Sequence, residues 1–245
     1  MLEIERNKYI FKTKEIWFSD YPYDDEDCDS ISFRACKNKV DKEGFSRGDF
    51  TTLVIDLAQN LEEIWNNMEN SSCRRRIKRA EKKGVKIKLN QNYEDFYEID
   101  QSFRESKGLP ANSADVDYMK KFGTLFVEDF DGEIIGGHFY LEDEQNIRSL
   151  IAASKRLEVS EEMASLIGNA NRLVIWKAIQ YAKEKGIMEF DMGGYSITTD
   201  EQKDRINTFK KSFGGKMATH YVYHKDYSRI YKVIKTGYQL KTRWH

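Results

Sequence analysis

The segment from residue 169 to residue 194 constrains the fold most, because it joins a long amphipathic helix to a buried strand. Apolar residues recur at helical spacing on one side of the helix, and these are Val174, Ile175, Ala178, Ile179 and Ala182. Polar residues predicted to face solvent lie opposite, and these are Arg172, Gln180, Lys183 and Glu184. Gly186 is expected to end this helix, and IMEFDMGG is predicted to be a buried strand. A helix feeding directly into such a strand is typical of an α/β protein.

The pattern from residue 85 onward predicts the order β-α-α-β-β-β-α-β-α-β. Asn92 and Asp115 are expected to open helices, and Asp131-Gly132 is a hairpin turn signal between two strands. A loop is expected to lead to the long helix near residue 170. The predicted fold is therefore an α/β mixed sheet with helices on both faces.

The first 84 residues have a different character. Short strand-like runs surround an acidic stretch at residues 20–29, and Asn60 with Glu63 forms a capping-box pattern at the start of a helix. A basic helix is then expected to end at Gly84. We predict a small N-terminal lobe over 1–84 and a larger lobe over 85–245 that ends in a helical tail.

Composition excludes several classes of protein. Aromatic residues make up 13% of the 245, which is too many for a disordered chain, and no apolar run approaches the ~20 residues of a membrane span. The three cysteines, Cys28, Cys36 and Cys73, lack the spacing of a zinc site or a disulfide framework. A metal-free protein of the reducing cytoplasm is expected.

Positive charge is concentrated in one run, although the net charge of the chain is only −1. Residues 74–83, RRRIKRAEKK, contain seven cations and one carboxylate. Such a helix is either a solvated surface or a contact for a phosphate-bearing partner such as tRNA, a nucleotide or a lipid head group.

Lys210 is the first candidate for chemistry. At about 100° per residue, Ile206, Phe209 and Phe213 share one helix face, and Lys210 lies at its edge while Lys211 points away. A half-desolvated ammonium there would stabilise developing negative charge on oxygen. The alternative is a lysine whose stem only covers apolar surface.

The end of the buried strand provides the other candidates. Gly193 and Gly194 allow a ligand to approach the backbone and its N–H groups, or they simply form a tight turn, and Tyr195 follows them in the expected substrate-binding loop. Asp191 is expected to accept a proton from an amine or to orient the acceptor, with a buried ion pair as the alternative.

Two stretches resemble the FemABX-type peptidoglycan-bridge aminoacyltransferases and their relatives in the GNAT superfamily. They are RRRIKRAEKKGVKI at 74–87 and residues 169–215, which include WKAIQYAKEKGIMEFDMGG and NTFKKSFGG. The resemblance implies a GNAT-like sheet, a shortened first lobe and acyl or aminoacyl transfer. It also implies that Lys210, in the F-K motif, is catalytic.

The resemblance further implies ligand-binding roles. Arg104 and Lys107, at the end of a helix, would meet the phosphates of the acceptor. Gly168, Asn169 and Ala170 are similar to the acyl-CoA loop of GNAT enzymes, where backbone amides hold a pyrophosphate.

Three functions remain open at this stage. The first is transfer from aminoacyl-tRNA or acyl-CoA to an amine of a phosphate-bearing cell-envelope precursor or nucleotide-linked sugar, with no resident cofactor and with peripheral membrane contact as an option. The second is CoA-dependent N-acetylation of a small amine. The third is non-catalytic binding of an anionic ligand or RNA through the basic helix.

Overall fold

The structure is a computed structural model that describes residues 1–8, 10–197 and 200–242. It divides into two compact units, of which the first comprises residues 1–51 and 218–245 and the second residues 52–217.

The described residues form ten strands and seven α-helices. The strands are β1 Leu2–Lys8, β2 Phe11–Trp17, β3 Ser30–Cys36, β4 Ser46–Asp56, β5 Lys86–Leu89, β6 Gly123–Phe130, β7 Glu133–Glu142, β8 Asn146–Ser154, β9 Glu189–Gly194 and β10 Lys216–Asp226. The helices are α1 Leu61–Asn67, α2 Arg75–Lys82, α3 Tyr93–Ser106, α4 Val116–Phe122, α5 Glu161–Glu184, α6 Glu201–Lys211 and α7 Arg229–Thr242. The order from β5 to β10 confirms the order predicted from residue 85.

The sheet of the second unit runs in the order β4-β9-β8-β7-β6-β5. Its neighbours are antiparallel except for β8 and β9, which are parallel. Helix α5 packs on one face, whereas α3 and α4 pack on the other, where Tyr118 of α4 lies against Phe139 of β7. The predicted α/β mixed sheet with helices on both faces is confirmed.

Local sequence explains several boundaries. The Asn60 and Glu63 capping box forms reciprocally at α1, and the Asp115 side chain accepts the Tyr118 N–H at the start of α4. Asp131 and Gly132 both have positive φ, as a type I′ hairpin turn requires.

The predicted start of α5 is wrong. The helix begins nine residues earlier than expected, because Ser160 caps it by accepting the Met163 N–H. Residues 161–169 are therefore helical and form no loop. Glu161 and Glu162 occupy the first turn, where carboxylates interact favourably with the helix dipole.

The first unit contains β1, β2, β3 and the main part of β10, paired in that order. Strands β2 and β3 are parallel, and β3 pairs antiparallel with β10. Its core includes Ile16, Ile31, Phe33 and Tyr223. The pairing of β1 with β2 was not predicted, although Leu2 and Ile4 alternate with charged residues.

The compact units do not coincide with the predicted lobes 1–84 and 85–245. Residues 52–84 group with the second unit, because α2 packs against α5 and because β4 pairs with β9. The segment after residue 217 groups with the first unit, since β10 pairs with β3.

None of the helices in the described part of the chain has the length and apolar content needed to cross a bilayer.

Candidate active site

A cavity of about 870 Å³ opens in the second unit where strands β8 and β9 separate. The two strands pair only from Asn146–Glu189 to Arg148–Asp191, although β8 continues to Ser154 and β9 to Gly194, all within described residues. The bulge between β7 and β8, at Phe139/Tyr140, lies beside this point. One edge of β8 therefore faces the cavity without a strand partner, which makes its peptide groups available to a ligand.

Asp191 supports the backbone at the end of β9 and does not line the cavity. Its carboxylate is buried, forms an ion pair with Arg148, and accepts hydrogen bonds from Thr52 Oγ1 and, at 2.7 Å, from the Gly193 N–H. Gly193 has a φ of 79°, and a Cβ there would lie 3.2 Å from the Ser149 carbonyl oxygen. The geometry shows the buried ion pair that the sequence left open as the alternative role of Asp191.

The Gly193 N–H is therefore occupied by Asp191 and is not the free donor that the sequence led us to expect. Gly193 and Gly194 nevertheless line the cavity. The Gly194 carbonyl accepts a 2.7 Å hydrogen bond from Lys210 Nζ.

Lys210 projects from α6 into this end of the cavity. Burial, together with the charge of Arg148, lowers the pKa of its ammonium to about 8, against an opposing contribution from Asp191. An ammonium that keeps its proton at neutral pH but is already half desolvated is a strong donor to a developing oxyanion. Lys211 lies on the exposed side of α6, over the Tyr195 ring at 5.3 Å.

His138 of β7 also lines the cavity and is buried. Burial lowers its pKa to about 4, a hydrogen bond to Asn171 of α5 opposes this, and the charge of Lys210 lowers it again. The ring is thus neutral at physiological pH. Its Nδ1 lies 3.5 Å from the Tyr140 hydroxyl, so the two side chains form a polar pair in the cavity wall.

Three arginines gather near Gly168, away from the strand ends. Arg76 comes from α2, Arg156 from the turn after β8 and Arg172 from α5, and all three line the cavity. Burial, together with the charges of Arg76 and Arg156, lowers the pKa of the Arg172 guanidinium to about 10. Like charges held together without a lining carboxylate mark a binding place for an anion.

Arg172 is itself anchored within this cluster. Its guanidinium donates to the Ser72 and Gly168 carbonyl oxygens and lies 4.8 Å from the centre of the Phe209 ring. The prediction that it faces solvent is wrong, because α2 packs over this side of α5.

Of the predicted phosphate-binding pair, only Lys107 lines the cavity. Arg104 is bound to the Asp100 carboxylate at 3.1 Å and to the Pro110 carbonyl oxygen at 3.0 Å, so it stabilises the end of α3. Tyr195 is partly buried against the core and does not line the cavity.

The predicted pyrophosphate loop at Gly168, Asn169 and Ala170 requires correction. All three lie inside α5, where backbone N–H groups are used within the helix. Ala170 is fully buried in the core, and of the three only Gly168 lines the cavity. The true N-terminus of α5 carries Glu161 and Glu162, which would repel a phosphate.

Sequence reasoning missed two residues that line the cavity and one that supports the segment beside it. Asn171 and Arg156 carried no motif, and their positions depend on the tertiary packing of α5 and β8. Asn207 of α6 is buried and hydrogen-bonds both the N–H and the carbonyl of Ser196, which fixes the segment after β9.

Comparison with known proteins gives structural matches only, since no family model and no curated protein matches the sequence. The structure is similar to FemX, with a TM-score of 0.65, 13% identity, and coverage of 90% of this chain and 83% of FemX. It is also similar to the C-terminal domain of a protein named as a lysylphosphatidylglycerol synthetase from Agrobacterium fabrum. That match has a TM-score of 0.56, 11% identity, and coverage of 92% and 80%. These likenesses show a shared fold, as the sequence resemblance implied.

Proposed function

We propose that this chain is an acyltransferase that moves an acyl or aminoacyl group from an activated donor to an amine. The observation that carries the proposal is Lys210, a half-buried ammonium with a pKa lowered to about 8, at the point where β8 and β9 separate. The fold shared with FemX is consistent with this chemistry but does not establish it.

The reaction needs alignment and charge stabilisation more than it needs a covalent intermediate. The amine nitrogen bonds to the acyl carbon, the ester C–O or thioester C–S bond breaks, and the proton lost by the amine balances the one gained by the leaving group. Lys210 is placed to stabilise the oxyanion or the leaving oxygen. The unpaired edge of β8, from residue 149 onward, supplies further backbone groups along the cavity wall.

The substrate is expected to carry phosphate, because Arg76, Arg156 and Arg172 meet at one part of the cavity. Lys107 and Arg205 add further positive charge to its lining. An acceptor such as a cell-envelope precursor or a nucleotide-linked sugar fits this charge, with aminoacyl-tRNA or acyl-CoA as donor. Such molecules are made and used in the cytoplasm, where the proposal places the chain.

The alternatives differ in what they require. CoA-dependent acetylation of a small amine was expected to use backbone N–H groups at Gly168 to hold the pyrophosphate of CoA. The structure offers no such loop there, because Gly168 lies inside α5. A non-catalytic anion-binding or RNA-binding module would use the three arginines but would not account for the partly buried Lys210.

The experiment is single-turnover transfer to amine acceptors with and without phosphate, comparing labelled aminoacyl-tRNA with labelled acetyl-CoA. Transfer to a phosphate-bearing amine supports the proposal, and its dependence on the donor separates the first two functions. Ligand-induced thermal stabilisation without transfer from either donor would favour the binding module.

A further inference from the structure

Helix α7, in the first unit, has one side that packs against the sheet and one side that is exposed. Tyr231 packs against Phe11 with ring centroids 5.2 Å apart, and Lys235 Nζ lies 3.2 Å from the Asp226 carboxylate. These residues are one helical turn apart and attach α7 to the sheet of its unit. The side chains of residues 232–234, between these two, are exposed.

The outward side carries an aliphatic patch. Ile230, Val233 and Ile234 are 65%, 72% and 54% exposed, and their i, i+3, i+4 spacing puts them on one stripe. Ile10, 85% exposed, is next in sequence to Phe11, whose ring contacts Tyr231 in the first turn of α7. An exposed patch of large aliphatic side chains marks an interaction surface.

Cations lie beside this stripe. Arg229 and Lys232 are exposed, and the 14 residues of α7 contain four lysines or arginines and no carboxylate. Helical geometry, at about 100° per residue, places these two cations on the side away from Ile234. An apolar stripe bordered by cations is the pattern of a helix that lies in a membrane interface.

The sheet separates this helix from the acidic loop at residues 20–29. Phe33 faces that loop through Tyr23, at 4.9 Å between ring centroids, whereas the adjacent Ser32 hydrogen-bonds His224 on the α7 side. Alternation along β3 therefore puts the loop carboxylates on one face of the unit and the cations of α7 on the other. Such a dipolar unit would approach an anionic surface with α7 first.

We propose that the outer face of α7, together with Ile10, docks onto the surface of an anionic phospholipid bilayer. A lipid interface accommodates both the aliphatic stripe and the cations. RNA would neutralise the cations but leave the aliphatic side chains in water. A symmetric contact with a second copy would bring like charges together.

The test is flotation of the full chain with vesicles of phosphatidylcholine alone or of equal parts phosphatidylglycerol and phosphatidylcholine. Binding is expected to the second vesicle, and it should weaken on adding salt without vanishing. The triple variant Ile230→Ser/Val233→Ser/Ile234→Ser should bind on the order of 100-fold more weakly. Serine has nearly the helix propensity of isoleucine and valine, so α7 should persist.

A second variant keeps the apolar stripe intact. Arg229→Gln/Lys232→Gln should lose on the order of 10-fold in binding to the anionic vesicle and little of any binding to phosphatidylcholine. Met188→Ser, which removes an exposed apolar side chain in the second unit, is the matched control and should bind as the parent does.

Absence of vesicle binding by the parent would overturn the proposal. So would unchanged binding by the triple serine variant, since another surface would then be responsible. RNA binding that depends on Arg229 and Lys232 without vesicle binding, or self-association that the serine variant abolishes, would identify the other occupants and reject the membrane.

Discussion

The two ends of the cavity both carry positive charge, but of different kinds. At the strand end, Lys210 is a single ammonium held by the Gly194 carbonyl, and its pKa is lowered to about 8. Near Gly168, Arg76, Arg156 and Arg172 form a group of guanidinium ions. Arg172 keeps a pKa of about 10 despite its burial, so this end stays charged at physiological pH.

The difference separates chemistry from binding. A lone, partly desolvated lysine responds to small changes of charge in the transition state. A cluster of arginines holds a permanent anion with planar, multidentate donors. Changes at the first end should therefore alter turnover, and changes at the second should alter affinity.

Lys210→Ala is expected to have the largest effect, a loss of about 10²–10³ in kcat with little change in KM. It removes the charge that we propose acts on the reacting carbonyl, while Phe209 and Phe213 remain packed at 5.5 Å. The measurement is steady-state transfer with a phosphate-bearing amine.

Lys211→Ala is the matched control, because Lys211 is exposed and lies over Tyr195. It should retain parental turnover. Similar losses in the two variants would show that Lys210 has no special part in the chemistry.

The pH profile should show the next largest effect. The charged form of Lys210 exists below its pKa of about 8, so kcat should fall by about tenfold for each pH unit above that value. Lys210→Arg keeps its charge at higher pH, and its profile should lack this fall. Dividing the kcat of the parent by that of Lys210→Arg at each pH cancels the titration of the acceptor amine. If this ratio rises with pH, Lys210 acts as a base and not as a charged donor.

Arg76→Gln and Arg156→Gln should each raise KM for the phosphate-bearing substrate by about tenfold, with kcat within about twofold of the parent. The dependence of KM on salt should become shallower. Arg75→Gln, on the exposed side of α2, is the control. A loss confined to kcat would show that the arginine end takes part in chemistry.

Glu128→Gln should change the stability of the fold and leave kcat and KM unchanged. Glu128 of β6 is fully buried, and no hydrogen-bond partner for either carboxyl oxygen occurs among the described residues. Burial raises its pKa well above 4.5, so the folded state holds a proton that the unfolded state releases as pH rises.

This linkage lowers the stability of the parent at neutral pH and vanishes below about pH 4.5, where both states are protonated. Glu128→Gln removes it and should raise Tm by about 2–4 °C at neutral pH, with the gain shrinking on acidification. Thermal unfolding from acid to neutral pH measures the difference. An equal gain in Tm at every pH would show that the substitution acts through packing and not through the proton linkage.

Local chemistry was readable from the sequence where neighbours decide the outcome. The capping box at Asn60 and the hairpin turn at Asp131 form as predicted, since each needs only a few adjacent residues. Lys210 lies at the edge of the apolar face for the same reason, because helical periodicity fixes its direction relative to Phe209 and Phe213.

Features that depend on distant segments could not be read. The separation of β8 from β9 is a relation between two strands joined through α5, and no single strand encodes it. The burial of Arg172 depends on α2 covering it. A buried ion pair at Asp191 was one of the expected alternatives, but its partner, Arg148, lies on another strand and could not be named. The start of α5 is a different case, because the Ser160 cap is local and was overlooked in favour of the apolar pattern.

The discontinuous first unit has a consequence for how the protein is made. Strand β3 finds its partner β10 only after residues 52–217 have been synthesised, since Phe33 pairs with Tyr223. The second unit is contiguous in sequence, so all of its residues have been synthesised before β10 is complete. Ile16, Ile31 and Phe33 lack their final cover until then, so slow folding of the second unit prolongs the time in which chaperones or aggregation compete for the nascent chain.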